Sequence, residues 1–550
     1  MKPQDYIRTS IKTALTACGY TIPDEKLLCL EKPKQAGLGD ISSPVAMNLT
    51  RLVKQPPRQI AEKIVAHFPV DPFYLEKIDI AGPGFINFYL APSCLRQTVP
   101  DIINEGANFG KSTWGGGERI QFEFVSANPT GPLNIVSARA AAVGDVLANL
   151  YNWTGFKADR EFYINDAGRQ VRLLGESLNA RYMTELGSET PLPEDGYHGE
   201  YIRDLAQEII ARDSDKYKSL DTTVRCATFS KMALDYMVQR HQNSLDKYRL
   251  HYDQWFRETV IRDSQAHSGV LDYLQKHELS YEQDGAVWFR SSQYGDEKDR
   301  VLVTSEGEPT YFLIDIAYHQ NKYSRGYNKI IDLWGPDHHG YIPRMSAALQ
   351  ALGHPKDSFD VLIIQQVNLL RGGEIVKMSK RAGQIIEMDE LIEEVGVDAA
   401  RYFFIDRRVT QPLDFDIDLA KKQTDENPVF YVQYAHARIC NILRFARESG
   451  VHLPEQADVS PLQNEQEMAL IKKLLDFPEI VSKAAEGLEP HRITGYLHET
   501  ATVFHRFYHE NRVVTEDAPL TQARLMLCRA ARQVLANGLS LLNISAPENM

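Results

Sequence analysis

Arg119-Ile120-Gln121-Phe122-Glu123-Phe124-Val125 alternates polar and apolar residues, Asn128-Pro129-Thr130-Gly131-Pro132 interrupts it, and Ile135 to Trp153 runs with helical periodicity to a stop at Gly155. A period of two marks a strand, apolar residues three and four apart mark a helix, and clustered Pro and Gly mark the joint between them. Lys157 to Ile164 resumes the alternation, so the stretch predicts a β-α-β unit with parallel strands. Ligands of such sheets gather outside the carboxyl ends of the strands. Chemistry is therefore expected at the bend 128–132.

Working outward, strand patterns at 286–290, 329–334 and 359–367 alternate with helical ones at 310–323 and 341–351, as a doubly wound α/β domain requires. A charged helical stretch, about 168–285, reads as an insertion within a domain of residues 113–386. Upstream, amphipathic patterns at 6–16 and 60–67 precede an alternating stretch, 78–90, that Gly82-Pro83-Gly84 breaks as a hairpin would. Residues 1–112 thus form a small α+β domain. Beyond Glu387 strands are expected to vanish, leaving a connector at 387–426 and an all-helical bundle at 427–550. The fold class is multidomain α/β.

A chain of 550 residues, at roughly 150 per domain, has room for three or four such units. With 61 Lys and Arg against 74 Asp and Glu, its net charge is −13, which argues against indiscriminate coating of nucleic acid but leaves room for a local basic groove. No apolar run approaches the ~18 residues that cross a bilayer, and Met1-Lys2-Pro3-Gln4-Asp5 starts no signal peptide. The cysteines, 18, 29, 94, 226, 440 and 528, form no C-x-x-C pair, so neither a zinc ribbon nor a disulfide framework is written. A cytoplasmic protein with no membrane partner is expected.

Three segments could carry chemistry. Ser126 to Leu133 opens onto a helix N-terminus, whose free N–H groups favour phosphate or carboxylate, although a bare turn of this kind also serves as a structural bend. Arg371 to Gly383 sets Lys377, Lys380 and Arg381 on a glycine-flanked loop that could close on a polyphosphate; a solvated basic turn is the plainer alternative. Trp334-Gly335-Pro336-Asp337-His338-His339-Gly340 ends a strand, and its adjacent histidines point to opposite faces, which suits ligand contact better than a shared metal ion. His498-Glu499 has Thr502 where a zinc protease needs its second histidine.

Six collinear motifs carry a resemblance that spans the chain: E-F-V-S-A-N-P-T-G-P-L, Y-I-N-D-A-G, Y-F-L-I-D-I-A-Y-H, W-G-P-D-H-H-G-Y-I-P-R-M, V-K-M-S-K-R-A-G and Y-V-Q-Y-A-H-A-R. With them the chain resembles the bacterial-type arginyl-tRNA synthetases of class I. The resemblance implies a Rossmann-like catalytic domain, an N-terminal domain at the tRNA elbow and a C-terminal anticodon-binding bundle. It implies ATP and Mg²⁺ as cofactors, L-arginine and tRNA(Arg) as partners, a monomer, and no resident metal site. Arginine would be read by Glu123, Asn128, Tyr311 and Asp315, because a planar cation with five donors rewards paired acceptors. Tyr163, Asn165 and Asp166 would line the pocket. ATP would meet Thr130, Gly131, Pro132, Asn134, Val136, Ser137, Asp337, His338, Met378 and Lys380, and the catalytic groups would be Lys377, Ser379, Lys380, Asn134 and Ser137.

One departure bears on activity. Where the family carries H-x-G-H, this chain has Asn134-Ile135-Val136-Ser137, so two imidazoles are exchanged for neutral donors and a branched side chain stands where adenine approaches the backbone. Losing one transition-state donor costs about a hundredfold in rate. A paralogue that binds tRNA or arginine without ligating them is therefore the alternative. In the bundle, Tyr431, Tyr434, Phe504 and Tyr508 could stack on unpaired bases, although aromatics at helical spacing are commonly core.

Overall fold

A computed structural model describes residues 2–21, 24–33, 35, 37–376, 386–452 and 455–550. In the N-terminal part, β1 (Ile41–Ser43), β2 (Leu75–Ala81) and β3 (Phe85–Leu90) form an antiparallel sheet with β3 at its centre, and Gly82-Pro83-Gly84 makes the expected hairpin turn. Helices Pro3–Ala17 and Pro57–Ala66 bury Ile7, Ile11, Ile60 and Ile64. Helix Pro92–Glu105 then leads into the next domain and packs against the C-terminal helices.

The α/β part carries β4 (Arg119–Glu123), β5 (Lys157–Ile164), β6 (Gln254–Arg257), β7 (Ser280–Gln283), β8 (Ala286–Phe289), β9 (Arg300–Val303), β10 (Lys329–Trp334) and β11 (Phe359–Ile363), followed by β12 (Val367–Arg371), β13 (Glu374–Ile375) and β14 (Leu413–Asp416). The main sheet has the order β11-β10-β4-β5-β6 with every pair parallel. The chain proceeds outward from β4 through β5 and β6, then returns to the other side of β4 for β10 and β11. The topological switch therefore falls between β4 and β10, where a crevice opens at the strand ends.

Four expectations need correction. Residues 286–290 do form a strand, but in a separate antiparallel sheet, β7-β8-β9, and not in the doubly wound one. The stretch 168–285 is not helical throughout: after helices Arg169–Glu185, Glu200–Asp213 and Thr222–Lys247 the chain re-enters the main sheet as β6. The pattern 359–367 is two strands in two sheets, β11 and β12. Strands also persist past Glu387, since β14 pairs in parallel with β12. From 428 onward the described residues carry helices and no strand, with Pro428–Glu448, Glu465–Leu475, Phe477–Glu486, His491–Glu510 and Ala518–Leu541 packed around Leu470, Phe477, Leu497 and Leu535.

Candidate active site

Parallel register places Glu161, Glu123 and Asp332 side by side on β5, β4 and β10. Residues paired this way share a face of the sheet, so three buried acids form one row at the switch point. Helix Tyr311–Ser324 lies over that face and supplies the cations. Lys322 Nζ donates to Glu123 Oε2 at 2.5 Å and to Asp332 Oδ1 at 2.9 Å, and Arg325 binds Glu161 with both terminal nitrogens. His319 Nε2 sits 2.9 Å from Asp332, and its Nδ1 lies 3.3 Å from the Asp315 carboxylate. The Tyr318 hydroxyl lies between Glu161 (2.5 Å) and Glu123 (2.9 Å). Taking several charges out of water costs a few kcal/mol each, so the row tolerates burial only because it is paired.

Protonation follows from these contacts. Burial and Lys322 push the His319 imidazole down, but Asp315 and Asp332 outweigh them and raise it to about 10, so it is a cation at neutral pH. Burial lowers Lys322, yet Asp332 and Glu123 outweigh it and the net shift is upward. Burial raises Asp332, and Lys322 with His319 overcome it to hold the group below its ordinary value. Glu123 is raised, chiefly by burial, against the pull of Lys322. None of His319, Lys322, Asp332 and Glu161 was singled out from sequence. Only Asp332 stands out locally, as an acid within the apolar strand β10, whereas Glu123 and Glu161 sit among other polar residues, and the register that joins the three spans some two hundred residues.

Beyond Glu123 the backbone turns sharply. Val125 and Ser126 have φ of 68° and 38°, a left-handed conformation that is costly for a β-branched residue. The turn aims the Ser126 hydroxyl to donate to Glu123 (3.0 Å) and to accept from the Tyr163 amide (3.1 Å). Asn128, Thr130, Gly131 and Pro132 follow on the surface, and Asn134 caps helix Ile135–Trp153, its Oδ1 accepting from the Val136 (2.9 Å) and Ser137 (3.1 Å) amides. Val136 is exposed at the first turn of that helix.

The inserted helices brace this loop, which sequence reasoning did not anticipate. The Tyr201 hydroxyl donates to Thr130 O at 2.5 Å, and His241 Nε2 lies 2.8 Å from Gly131 O. Burial lowers the His241 imidazole, so it is neutral and donates that proton. The Met388 amide donates to Leu133 O, Asn134 pairs with Glu387, and Glu387 is held by Arg240 at 2.6 Å. The chain thus returns to the helix-capping turn directly after the cationic segment. Lys377, Met378, Ser379 and Lys380 themselves lie outside the described residues.

The other expected residues are distributed as follows. Tyr311 and Asp315 stand one turn apart on helix Tyr311–Ser324; the Tyr311 ring is 69% exposed, and with Gly168 and Arg262 it lines a cleft of about 310 Å³. Burial, with the Asp315 carboxylate nearby, pushes the Tyr341 phenol well above its ordinary value. Tyr163 donates to Glu258 (3.0 Å), whose other oxygen holds Arg262. Asp166 is occupied in capping helix Glu258–Asp263, accepting from the Thr259 amide and hydroxyl, and Asn165 reaches Glu258 and Ala167 O. Asp337 and His338 are exposed on the 3₁₀ turn Pro336–Tyr341. In the bundle Phe504 is fully buried and is core, which removes it from the stacking candidates. Tyr434 and Tyr508 flank the Arg438 guanidinium at 4.5 and 5.3 Å, and Tyr431 rests against His498 and His505.

Comparison with known proteins gives three family models in the order of the domains. Residues 5–90 match the arginyl tRNA synthetase N terminal domain, 98–413 the catalytic domain of class I (R) tRNA synthetases, and 432–550 the DALR anticodon binding domain. An arginine–tRNA ligase of Desulforamulus reducens is 48% identical over 95% of this chain and 93% of its own length. That of Bacillus subtilis is 45% identical over 100% of this chain and 99% of its own. The Thermus thermophilus arginyl-tRNA synthetase structure, 23% identical, shares the fold with a TM-score of 0.78 over the whole of both chains.

Proposed function

The chain belongs to the arginyl-tRNA synthetases of class I, and from that membership and the geometry of the switch point we propose how its own residues join arginine to tRNA(Arg). It is an arginine–tRNA ligase that uses ATP. The observation that carries the reading is the position of Asp315 and Glu123 at the mouth and floor of an acidic crevice, beside a helix N-terminus suited to phosphate.

The arginine guanidinium lies against Asp315, with the Glu123 side of the row, Asn128 and the Tyr311 hydroxyl as further acceptors. Its carboxylate then faces the Asn128–Ser137 loop, where the α-phosphate of ATP sits. In-line attack gives arginyl-adenylate and pyrophosphate. The side-chain amide nitrogen of Asn134 and the hydroxyl of Ser137 hold phosphate oxygens at the positive end of helix Ile135–Trp153, while Thr130, Gly131, Pro132, Val136, Asp337 and His338 border the nucleotide. Lys377 and Lys380, with Met378 and Ser379 between them, carry charge to the departing pyrophosphate. The terminal ribose hydroxyl of the tRNA then attacks the adenylate carbonyl and AMP leaves. Alignment and preorganised charge supply most of the rate, since little covalent chemistry is asked of side chains.

Magnesium brought by the triphosphate would offset charge on the departing pyrophosphate, alongside Lys377 and Lys380. The protein acts as a monomer in the cytoplasm, and no described helix is long and apolar enough to cross a membrane. Pyrophosphate exchange with arginine, ATP and tRNA all present tests the reading. Exchange should depend on arginine, with lysine and glutamine inactive, and Asp315→Ala should abolish that dependence. An unchanged arginine KM in that variant overturns the pocket assignment, and no exchange with any amino acid restores the non-ligating alternative.

A further inference from the structure

The charges around the acid row do not balance. Four carboxylates, Asp315, Asp332, Glu123 and Glu161, face three cations, His319, Lys322 and Arg325. Of the neighbouring charges, Glu258 pairs with Arg262 and Asp159 with Arg119, while Arg257 is shared by Asp166 and the exposed Asp235, so none of these cations is left over for the row. Arg344 stacks on Tyr341 at 4.9 Å and makes no ion pair with any of the four among the described residues. The Tyr318 hydroxyl has one proton for two carboxylates, so it cannot settle the difference. His319, Lys322 and Asp332 are all within 2% of full burial, behind the residues assigned to the ligand.

We propose that His319, Lys322 and Asp332 are positioning residues that leave this cluster one carboxylate in excess, so that the pocket is completed only by a ligand bringing one positive charge to Asp315 and Glu123. The inference rests on the arginine pocket described above and explains its selectivity. His319 bridges Asp315 to Asp332, and Lys322 bridges Asp332 to Glu123, so the two ligand-facing acids are the ends of one chain of alternating charge. A neutral isostere such as citrulline fits the same shape but leaves the excess charge buried and uncompensated, which is the costly outcome.

The cluster offers a test by charge bookkeeping at positions that do not touch substrate. Discrimination is read as the KM of arginine against the inhibition constant of citrulline in arginine-dependent pyrophosphate exchange, using the full chain with tRNA. Asp332→Asn removes the excess carboxylate. Discrimination should fall about thirtyfold, the Coulomb effect of one unit charge ~8 Å away at an effective dielectric of ~20. Adding His319→Gln restores the excess and should restore discrimination, which a merely structural defect would not do. Glu161→Gln, at the far end of the row, should act like Asp332→Asn if that variant does not fold.

The unmodified protein gives an independent reading. The groups facing the excess charge are Asp315, Tyr318, His319, Lys322 and Arg325 on the helix, Glu123 and Ser126 beside β4, Glu161 and Tyr163 on β5, Asp332 on β10, and Tyr341. A proton on this cluster replaces the ligand's charge, so citrulline should bind more tightly as pH falls while arginine does not. Full discrimination in both charge-removed variants, or a ratio independent of pH in the unmodified chain, overturns the inference while Asp315→Asn still loses arginine. If Asp315→Asn keeps its arginine affinity, the pocket reading itself fails.

Discussion

Asn134 separates stability from catalysis at a single atom pair. Its Oδ1 accepts from two amides of the first helical turn, at 2.9 and 3.1 Å, while its Nδ2 has no partner among the described residues. The oxygen caps the helix, and the amide nitrogen is left for phosphate. Asn134→Asp keeps the cap, because Asp and Asn are equivalent N-caps, and its charge gains about 0.3–1 kcal/mol from the helix dipole. The same change deletes the donor and sets an anion where the triphosphate belongs, which should lower kcat/KM for ATP by about a hundredfold or more. Asn134→Ala loses the cap, about 1 kcal/mol, and the donor together. The two variants should thus move activity in the same direction and local stability in opposite ones. Pyrophosphate exchange reads the first, and hydrogen exchange at the Val136 and Ser137 amides reads the second. Retention of the parental kcat/KM by the Asn134→Asp variant would refute the assignment of this turn to phosphate.

Removing the Tyr201 hydroxyl by Tyr201→Phe deletes its bond to Thr130 O, and about 1 kcal/mol of bracing should appear as a roughly fivefold rise in the KM for ATP with an unchanged KM for arginine. Arg139 is fully buried and its guanidinium donates to the carbonyls of Gln365, Gln366, Arg408 and Gln411; Arg139→Met should lower unfolding free energy by about 3 kcal/mol or more by orphaning these acceptors, measured by urea denaturation. Burial and Lys322 oppose the His319 charge, but Asp315 and Asp332 lift the imidazole from 6.5 to about 10. A group raised on folding contributes its stability fully below the unfolded value and loses it as pH climbs through the folded one. Unfolding free energy should therefore decline between about pH 6.5 and 10, and His319→Gln should flatten that slope.

The parts of the fold that were legible are those where a local period is long enough to speak. β4, helix Ile135–Trp153 and β5 are read from alternation, turn and stop, and the N-terminal hairpin from Gly82-Pro83-Gly84. β6 and β14 escaped because four residues each, Gln254–Arg257 and Leu413–Asp416, carry too little pattern amid charged neighbours. The stretch 286–290 is read as part of the main sheet because strand signals do not say which sheet they join, and its four-residue partners β7 and β9 escaped as β6 did. At the site, motifs pointed to Asp315 and Asn134. His319 and Lys322, four and seven residues past Asp315, carry no signal of their own in the sequence, and their partners appear only when register places three acids beneath them. Pairing across β5, β4 and β10 is a property of the sheet, and no single segment contains it.

Helix Ile135–Trp153 also explains how the distant bundle is tied to this chemistry. Its first turn is the one proposed to hold the nucleotide, and one turn on Arg139 grips the segments that lead into β12 and β14. Farther along, the buried carboxylate of Asp145 is shared by Arg401 of the connector, Arg160 of β5 and the Asn543 amide, and Asn149 donates to Leu541 O. Arg401 in turn donates to Leu542 O. The end of the last bundle helix is therefore hydrogen-bonded to the same helix that Asn134 caps. A shift of the bundle away from it would break the Asn543 contact with the buried Asp145 carboxylate and the Asn149 bond to Leu541 O, while Arg160 of β5 would stay paired with Asp145. The bundle end, the connector and helix Ile135–Trp153 are thus joined through one buried acid, which is the contact by which an RNA bound to the bundle would bear on the helix proposed to receive ATP.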